Sequence, residues 1–241
     1  MKVEYVNHMG DDNSIIDAAR VSFSKSHKNY TPEQNDSLLA YLARGMSSSE
    51  FNKLMLEAQE GIWSPRELWH KARMTHIHGT PFAHTAITLR VQAPIPVRVH
   101  CFKSKIGFVE SEESRRYITT KPEVFIPVFR EKLPDVKQGS GDVHLHNESW
   151  QELYRLQCEG AVALYERMLK DGIAPEQARF VLPQGVEVSW IWTGSLLAYS
   201  RFWQLRSDSH AQKETQELAH MVRDVIKPLF PKAWELLNEC V

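Results

Sequence analysis

Only three cysteines occur, Cys101, Cys158 and Cys240, odd in number and widely spaced. That excludes a disulfide framework and a CxxC metal or redox site, and suits a reducing compartment. An excess of charge is missing too, with a formal net charge of -1. Duplex DNA and anionic membranes are usually met by a clustered surplus of Lys and Arg, so neither partner is expected and any anion must be held locally. No uninterrupted apolar stretch reaches bilayer-spanning length, and Met1-Lys2-Val3-Glu4-Tyr5 opens without an apolar run of signal-peptide type. A cytoplasmic location is the expectation. Internal repeats, G-x-G-x-x-G and G-x-x-x-x-G-K phosphate loops and H-E-x-x-H are absent as well.

What remains is an ordinary globular profile. At 241 residues with 42% apolar side chains the chain is long enough to bury one sizeable core, so a single domain over 1–241 is expected. Thr31-Pro32-Glu33-Gln34 and Ser64-Pro65-Arg66-Glu67 each place a hydroxyl N-cap before Pro, with an acceptor three residues on; Ser209-His210-Ala211-Gln212 repeats the box without Pro. All three predict helix starts. From Trp150, the positions Leu153, Tyr154, Ala161, Leu164, Tyr165 and Met168 recur at helical spacing until Gly172, and Ala211, Thr215, Leu218, Ala219, Val222, Val225 and Ile226 do the same. Val186, Val188, Trp190 and Trp192 alternate as in a half-buried strand, and the β-branched run from His84 to Val91 suits a second. The expected class is α+β, helix-rich around a sheet. Residues 132–147 lack periodicity and predict a long loop.

Three segments hold the candidate chemistry. In the stretch from Phe102 to Tyr117, Ser114 is followed by Arg115 and Arg116, a hydroxyl and two guanidinium forks that suit a phosphate. On composition alone the same text also reads as a solvated charged surface laced with intrahelical ion pairs. His76, His78 and His84 invite a metal, but Gly79-Thr80-Pro81 breaks any common helical face and no cysteine lies near, so no metal site is expected. Arg179 and Arg206 sit among apolar neighbours, where a buried cation needs a partner: an internal carboxylate or a ligand.

Taken together, these segments resemble the flavin-dependent thymidylate synthases. The resemblance rests on His78-Gly79-Thr80-Pro81-Phe82-Ala83-His84, on Ser111-Glu112-Glu113-Ser114-Arg115-Arg116-Tyr117, on Ala178-Arg179-Phe180-Val181-Leu182-Pro183, and on Leu205-Arg206 followed by His210-Ala211-Gln212-Lys213-Glu214. They follow in the family's order and spacing, over roughly residues 75–219. The chain departs from the family pattern at His100 (Gln in the family), Lys103-Ser104 (Arg-His or Lys-His), Ser111 (Asn), Ser195 and Arg201 (Asn) and Ala83 (Glu).

The resemblance implies a ThyX-like α+β domain with an antiparallel sheet. It implies FAD-dependent transfer of a one-carbon unit from methylenetetrahydrofolate to C5 of a pyrimidine nucleotide, dUMP to dTMP, with NADPH as reductant and a homotetrameric assembly. The family also contains a branch acting on UMP or another pyrimidine nucleotide, and a noncatalytic flavin- or nucleotide-binding homologue is the alternative from another class. By resemblance Arg206 is the catalytic residue, contacting the pyrimidine ring in its N3-deprotonated form, and His100, Lys103, Glu112, Ser114, Arg115, Arg116 and Arg179 join it in binding substrate. The matching FAD positions are His78, Thr80, Lys103, Ser104, Lys105, Glu112, Ser195, Leu196, Leu197, Arg201, Leu205 and His210. The family scheme needs no cysteine nucleophile, in keeping with three cysteines that lack any activating motif.

Overall fold

The computed structural model describes residues 1–64, 67, 77–134 and 138–238. The chain divides into two compact units, the first formed by Met1–Val6, Thr88–Thr193 and Phe202–Val222, the second by Asn7–Ile87, Gly194–Arg201 and Arg223–Val241.

The first unit holds most of an antiparallel sheet of strands β1 (Lys2–Met9), β2 (Ala86–Pro94), β3 (Phe108–Glu112) and β4 (Glu187–Gly194), in the order β1-β2-β4-β3. The expected alternation of β4 is realised: Val188, Trp190 and Trp192 are buried, and the residues between them are half-buried. Trp192 stacks on Phe108 of β3 at 4.5 Å between centroids and meets the Phe202 ring edge-on at 4.8 Å. Such aromatic pairs bury large areas and add roughly 0.5–1.5 kcal/mol beyond burial. Across β2 and β4 the hydroxyls of Thr88 and Thr193 are 3.0 Å apart.

Helix α5 (Ile95–Phe102), numbered after four helices of the second unit, begins with Pro at its second position, where no intrahelical N–H is lost. Its edge partner is Trp190, 5.7 Å from Phe102. Gly107, at φ 83°, supplies the left-handed residue that turns the chain into β3. Helix α6 (Asn147–Lys170) is the predicted long helix, ended by Gly172 at φ 84°. Its buried face is Cys158, Val162 and Tyr165, whereas Leu153 and Leu164 of the expected apolar stripe are 57% and 48% exposed. Helix α7 (Pro175–Ala178) is a single turn.

The second unit contains α1 (Asp12–Arg20), α2 (Pro32–Arg44), α3 (Ser48–Gln59), α4 (Thr80–Ala83) and α10 (Pro231–Asn238). The Thr31 box is present, with Gln34 N donating to Thr31 Oγ1 at 3.3 Å and Thr31 N to Gln34 Oε1 at 3.0 Å. At the second predicted start, Ser64 Oγ donates to Glu67 Oε2 at 2.6 Å. The helix expected beyond it, like His76, lies outside the described residues. Helix α10 packs on α2, and Asp12 caps it by accepting from Lys232 N and Ala233 N at 3.0 and 3.1 Å.

Helices α8 (Leu196–Arg206) and α9 (Lys213–Ile226) draw residues from both units. The third predicted start is displaced. Asp208 Oδ1 captures His210 N at 2.8 Å, a turn forms, and α9 begins only where the Gln212 carbonyl receives Thr215 N and Gln216 N. No helix among the described residues is long and apolar enough to cross a membrane.

Candidate active site

The charged segment from Phe102 to Tyr117 is not helical. It leaves α5, turns, forms β3 and turns again, so the expected intrahelical ion pairs are replaced by pairs between elements. Lys105 bonds Glu110 across the turn before β3. Arg98 Nε of α5 lies 3.1 Å from Glu112 Oε2 of β3. Burial pushes the Glu112 carboxyl above its ordinary value, Arg98 pulls it back and neighbouring Glu113 adds to the rise. Burial disfavours the charged form, and here it outweighs one adjacent cation.

After β3 the chain folds into a turn in which Tyr117 N and Ile118 N both donate to the Ser114 carbonyl, at 2.9 and 3.1 Å. Arg115 Nη1 donates to Thr120 O at 2.5 Å, and its Nε is buried without a partner among the described residues. Arg116 Nε is 2.9 Å from Glu176 Oε2. Arg179 Nε donates to the Glu176 carbonyl at 3.2 Å. Two arginines distant in sequence thus converge on Glu176. Arg179 is nevertheless exposed, which corrects the expectation of a buried cation: its apolar neighbours do not enclose it, because Phe180 is itself 84% exposed.

Arg206, at the end of α8, is half-buried. Its Nη2 donates to the His100 carbonyl at 3.0 Å, and its Nε is buried with no partner among the described residues. No carboxylate pairs with it among those residues, so the internal ion pair left open by the sequence is not formed. The His100 ring lies 2.9 Å, at Nδ1, from Thr215 Oγ1. Burial, then the Arg206 charge, holds the imidazole below its usual range. Lys103 is exposed and unpaired among the described residues, and Ser104 N donates to Cys101 O at 3.0 Å. Leu205 is exposed, and His210 Nδ1 pairs with Asp208 Oδ1 at 2.9 Å. Cys101 is fully buried, which pushes its thiol up to about 12; Cys158 is buried, and Cys240 lies outside the described residues.

In the second unit, Thr85 Oγ1 accepts from Leu196 N at 2.9 Å and Ser195 Oγ accepts from Ala198 N at 3.2 Å, fixing the start of α8. The side chains of Leu196 and Leu197 are buried and the Leu196 N–H is held by Thr85, so side-chain contacts of these two residues to a ligand are not available. A Cβ at Gly79 would lie 3.0 Å from Leu197 Cδ2, so a side chain there requires the Leu197 methyl to give way. The exposed His78 ring stacks on Tyr41 at 5.1 Å, Thr80 is exposed in α4, and Arg201 is exposed and unpaired among the described residues.

Sequence reasoning did not single out Arg98, Glu176, Thr85 or the role of Thr215. Glu176 had a signal, three residues before Arg179; the others act across folds of the chain and leave no local pattern.

The Thymidylate synthase complementing protein family model matches residues 4–232. A flavin-dependent thymidylate synthase of Thermosipho africanus is 32% identical over 95% of this chain and 87% of its own length. One of Thermus thermophilus is 30% identical over 98% of this chain and 75% of its own. Among solved structures, the UMP/dUMP methylase PolB from Streptomyces cacaoi bound with 5-Br dUMP superposes with a TM-score of 0.76, at 25% identity, covering 98% of this chain and 93% of that one. The chain belongs to the flavin-dependent thymidylate synthase family and is an enzyme of that class.

Proposed function

We propose that the chain, as one domain over 1–241, converts dUMP to dTMP by FAD-dependent reductive methylation of C5, using methylenetetrahydrofolate and NADPH. The observation that supports it most is the Arg206 guanidinium, fixed through Nη2 to the His100 carbonyl while its buried Nε has no partner among the described residues. A buried donor left open costs about 1–3 kcal/mol, a deficit that a bound acceptor removes. In this reading Arg206 meets the ring as C5 gains nucleophilic character, and a preorganised cation beside developing negative charge is worth about 3–4 kcal/mol.

Ser114, Arg115, Arg116 and Arg179 hold the phosphate. Glu112, its carboxyl raised by burial, carries or receives a proton more readily than an exposed carboxylate near neutral pH. The Cys101 thiol is pushed up to about 12 by burial and Cys158 is buried, in keeping with a methyl transfer that needs no cysteine adduct.

The donor sets fit FAD. In the second unit Ser195, the backbone N–H of Leu197, Thr80, His78 and Arg201 offer hydroxyl, N–H, aromatic and cationic groups suited to a diphosphate-bearing flavin, with Leu196, its own N–H held by Thr85, beside them. In the first unit Lys103, Ser104, Lys105, Glu112, Leu205 and His210 take the matching roles. FAD, when bound, supplies hydride transfer, accepting reducing equivalents from NADPH and returning them to the one-carbon unit. A homotetramer in the cytoplasm completes this reading.

A second reading, C5 methylation of UMP, is supported by the likeness to a protein described as a UMP/dUMP methylase. Turnover of dUMP and UMP side by side, with product masses, tests both. Higher kcat/KM for dUMP with a methyl product is expected; higher kcat/KM for UMP replaces the first reading by the second.

A further inference from the structure

We propose that Thr215 fixes His100 in the Nε2–H tautomer, so that the imidazole presents a fixed hydrogen-bond donor to a ring carbonyl oxygen of the bound pyrimidine beside Arg206. Thr215 is fully buried on the first turn of α9, and its Oγ1 lies 2.9 Å from His100 Nδ1. No other partner for this hydroxyl exists among the described residues. A hydroxyl has one proton to donate and two lone pairs, and leaving the proton unused in a buried position costs more than leaving a lone pair unused. Donation from Thr215 to Nδ1 satisfies both groups. The opposite arrangement, Nδ1–H to Oγ1, strands the hydroxyl proton where water does not reach.

The ring proton therefore sits on Nε2, which has no partner among the described residues. Protonation of the ring would force Nδ1 to donate and would strand the same hydroxyl proton. That agrees with a ring held below its usual range by burial and by Arg206. Arg206 also grips the His100 carbonyl, so backbone and ring of this residue are both fixed, one by a cation and the other by a hydroxyl. A donor-only imidazole differs from a glutamine amide, which offers donor and acceptor and can flip. Thr215 is thus a positioning residue, acting through His100. The assignment of the donor to a pyrimidine carbonyl rests on the reading of Arg206 as the ring contact.

Nitrogen NMR of the full-length protein with labelled histidine, the His100 signals identified by their loss in His100→Gln, reads the tautomer directly. Unprotonated Nδ1 and protonated Nε2 are expected at neutral pH; the reverse overturns the proposal. Thr215→Val keeps the side-chain shape and removes the hydroxyl. It should produce a tautomer mixture and raise the Kd for dUMP about three- to tenfold, with Thr215→Ser restoring both. A Thr215→Val ring still held in the Nε2–H form shows that the hydroxyl does not set it. A mixed tautomer with unchanged Kd, in a protein where Arg206→Ala still lowers kcat, shows that the donor does not meet the nucleotide and leaves the Arg206 reading standing. If Arg206→Ala also leaves kcat unchanged, the site reading itself falls.

Discussion

Arg116 Nε lies 2.9 Å from Oε2 of Glu176, and both side chains are about half exposed. The guanidinium assigned to the phosphate thus already holds an anion of the protein's own. A phosphate binding Arg116 competes with that carboxylate for the guanidinium's charge, and an exposed pair of this kind is worth roughly 0–1 kcal/mol. Glu176→Gln is therefore expected to lower the Kd for dUMP by about two- to fivefold, most at low salt, with no gain in an Arg116→Ala background. Calorimetric titration of the single and double variants decides; a weaker Kd in Glu176→Gln would make Glu176 a support for the arginine instead of its competitor.

Arg206 gives a kinetic prediction. If the charge it stabilises develops along the reaction path, Arg206→Ala should lower kcat by about a hundredfold or more, beyond its effect on nucleotide Kd. Arg206→Lys should stay far below wild type, because an ammonium does not reproduce the planar fork. NADPH oxidation coupled to O₂ should persist in both. Full activity in Arg206→Lys would make the residue a structural cation.

The thiols are expected to be silent. With the Cys101 thiol pushed up to about 12 by burial, its thiolate fraction near pH 8 is about one part in ten thousand. Treating the folded enzyme with iodoacetamide should leave Cys101 and Cys158 unmodified by mass spectrometry and turnover unchanged, while denaturant exposes both. Rapid loss of activity on labelling of Cys101 would restore a cysteine to the mechanism.

His100 yields a pH prediction with a defined sign. Its ring is held below the ordinary value of 6.5 by burial and by Arg206, so between the folded and unfolded values the unfolded chain binds more protons. The stability it contributes is complete above about 6.5 and declines as pH falls toward the folded value. Thermal melts of wild type should fall more steeply below about pH 6.5 than those of His100→Gln. Parallel curves would remove His100 from the linkage.

The fold was legible where one local rule acted alone. Thr31 with Gln34 announced α2, and the Trp190-Trp192 alternation announced β4, because capping and one-sided burial are written in neighbouring residues. β1 escaped because it is an edge strand whose successive residues Tyr5 and Val6 are both 48% exposed, so its burial does not alternate. β3 escaped because its charged residues pair with other elements, Glu110 with Lys105 and Glu112 with Arg98. The displaced start of α9 reflects Asp208, whose side chain takes the His210 N–H and whose carbonyl takes that of Ala211, closing a turn where Ser209 was expected to begin the helix. Of the candidate site, the residue types were readable; the partners Glu176, Arg98 and Thr215 were not, since each depends on long-range folding.

The central claim is flavin-dependent methylation of a pyrimidine nucleotide, and one spectroscopic experiment tests it most directly. Purified protein reconstituted with FAD should show a bound-flavin spectrum that bleaches under NADPH without oxygen and returns on addition of dUMP with methylenetetrahydrofolate, dTMP forming in step. A protein that gains no flavin absorbance, or whose reduced flavin is untouched by nucleotide and folate while no methylated product forms from dUMP or UMP, would contradict the account.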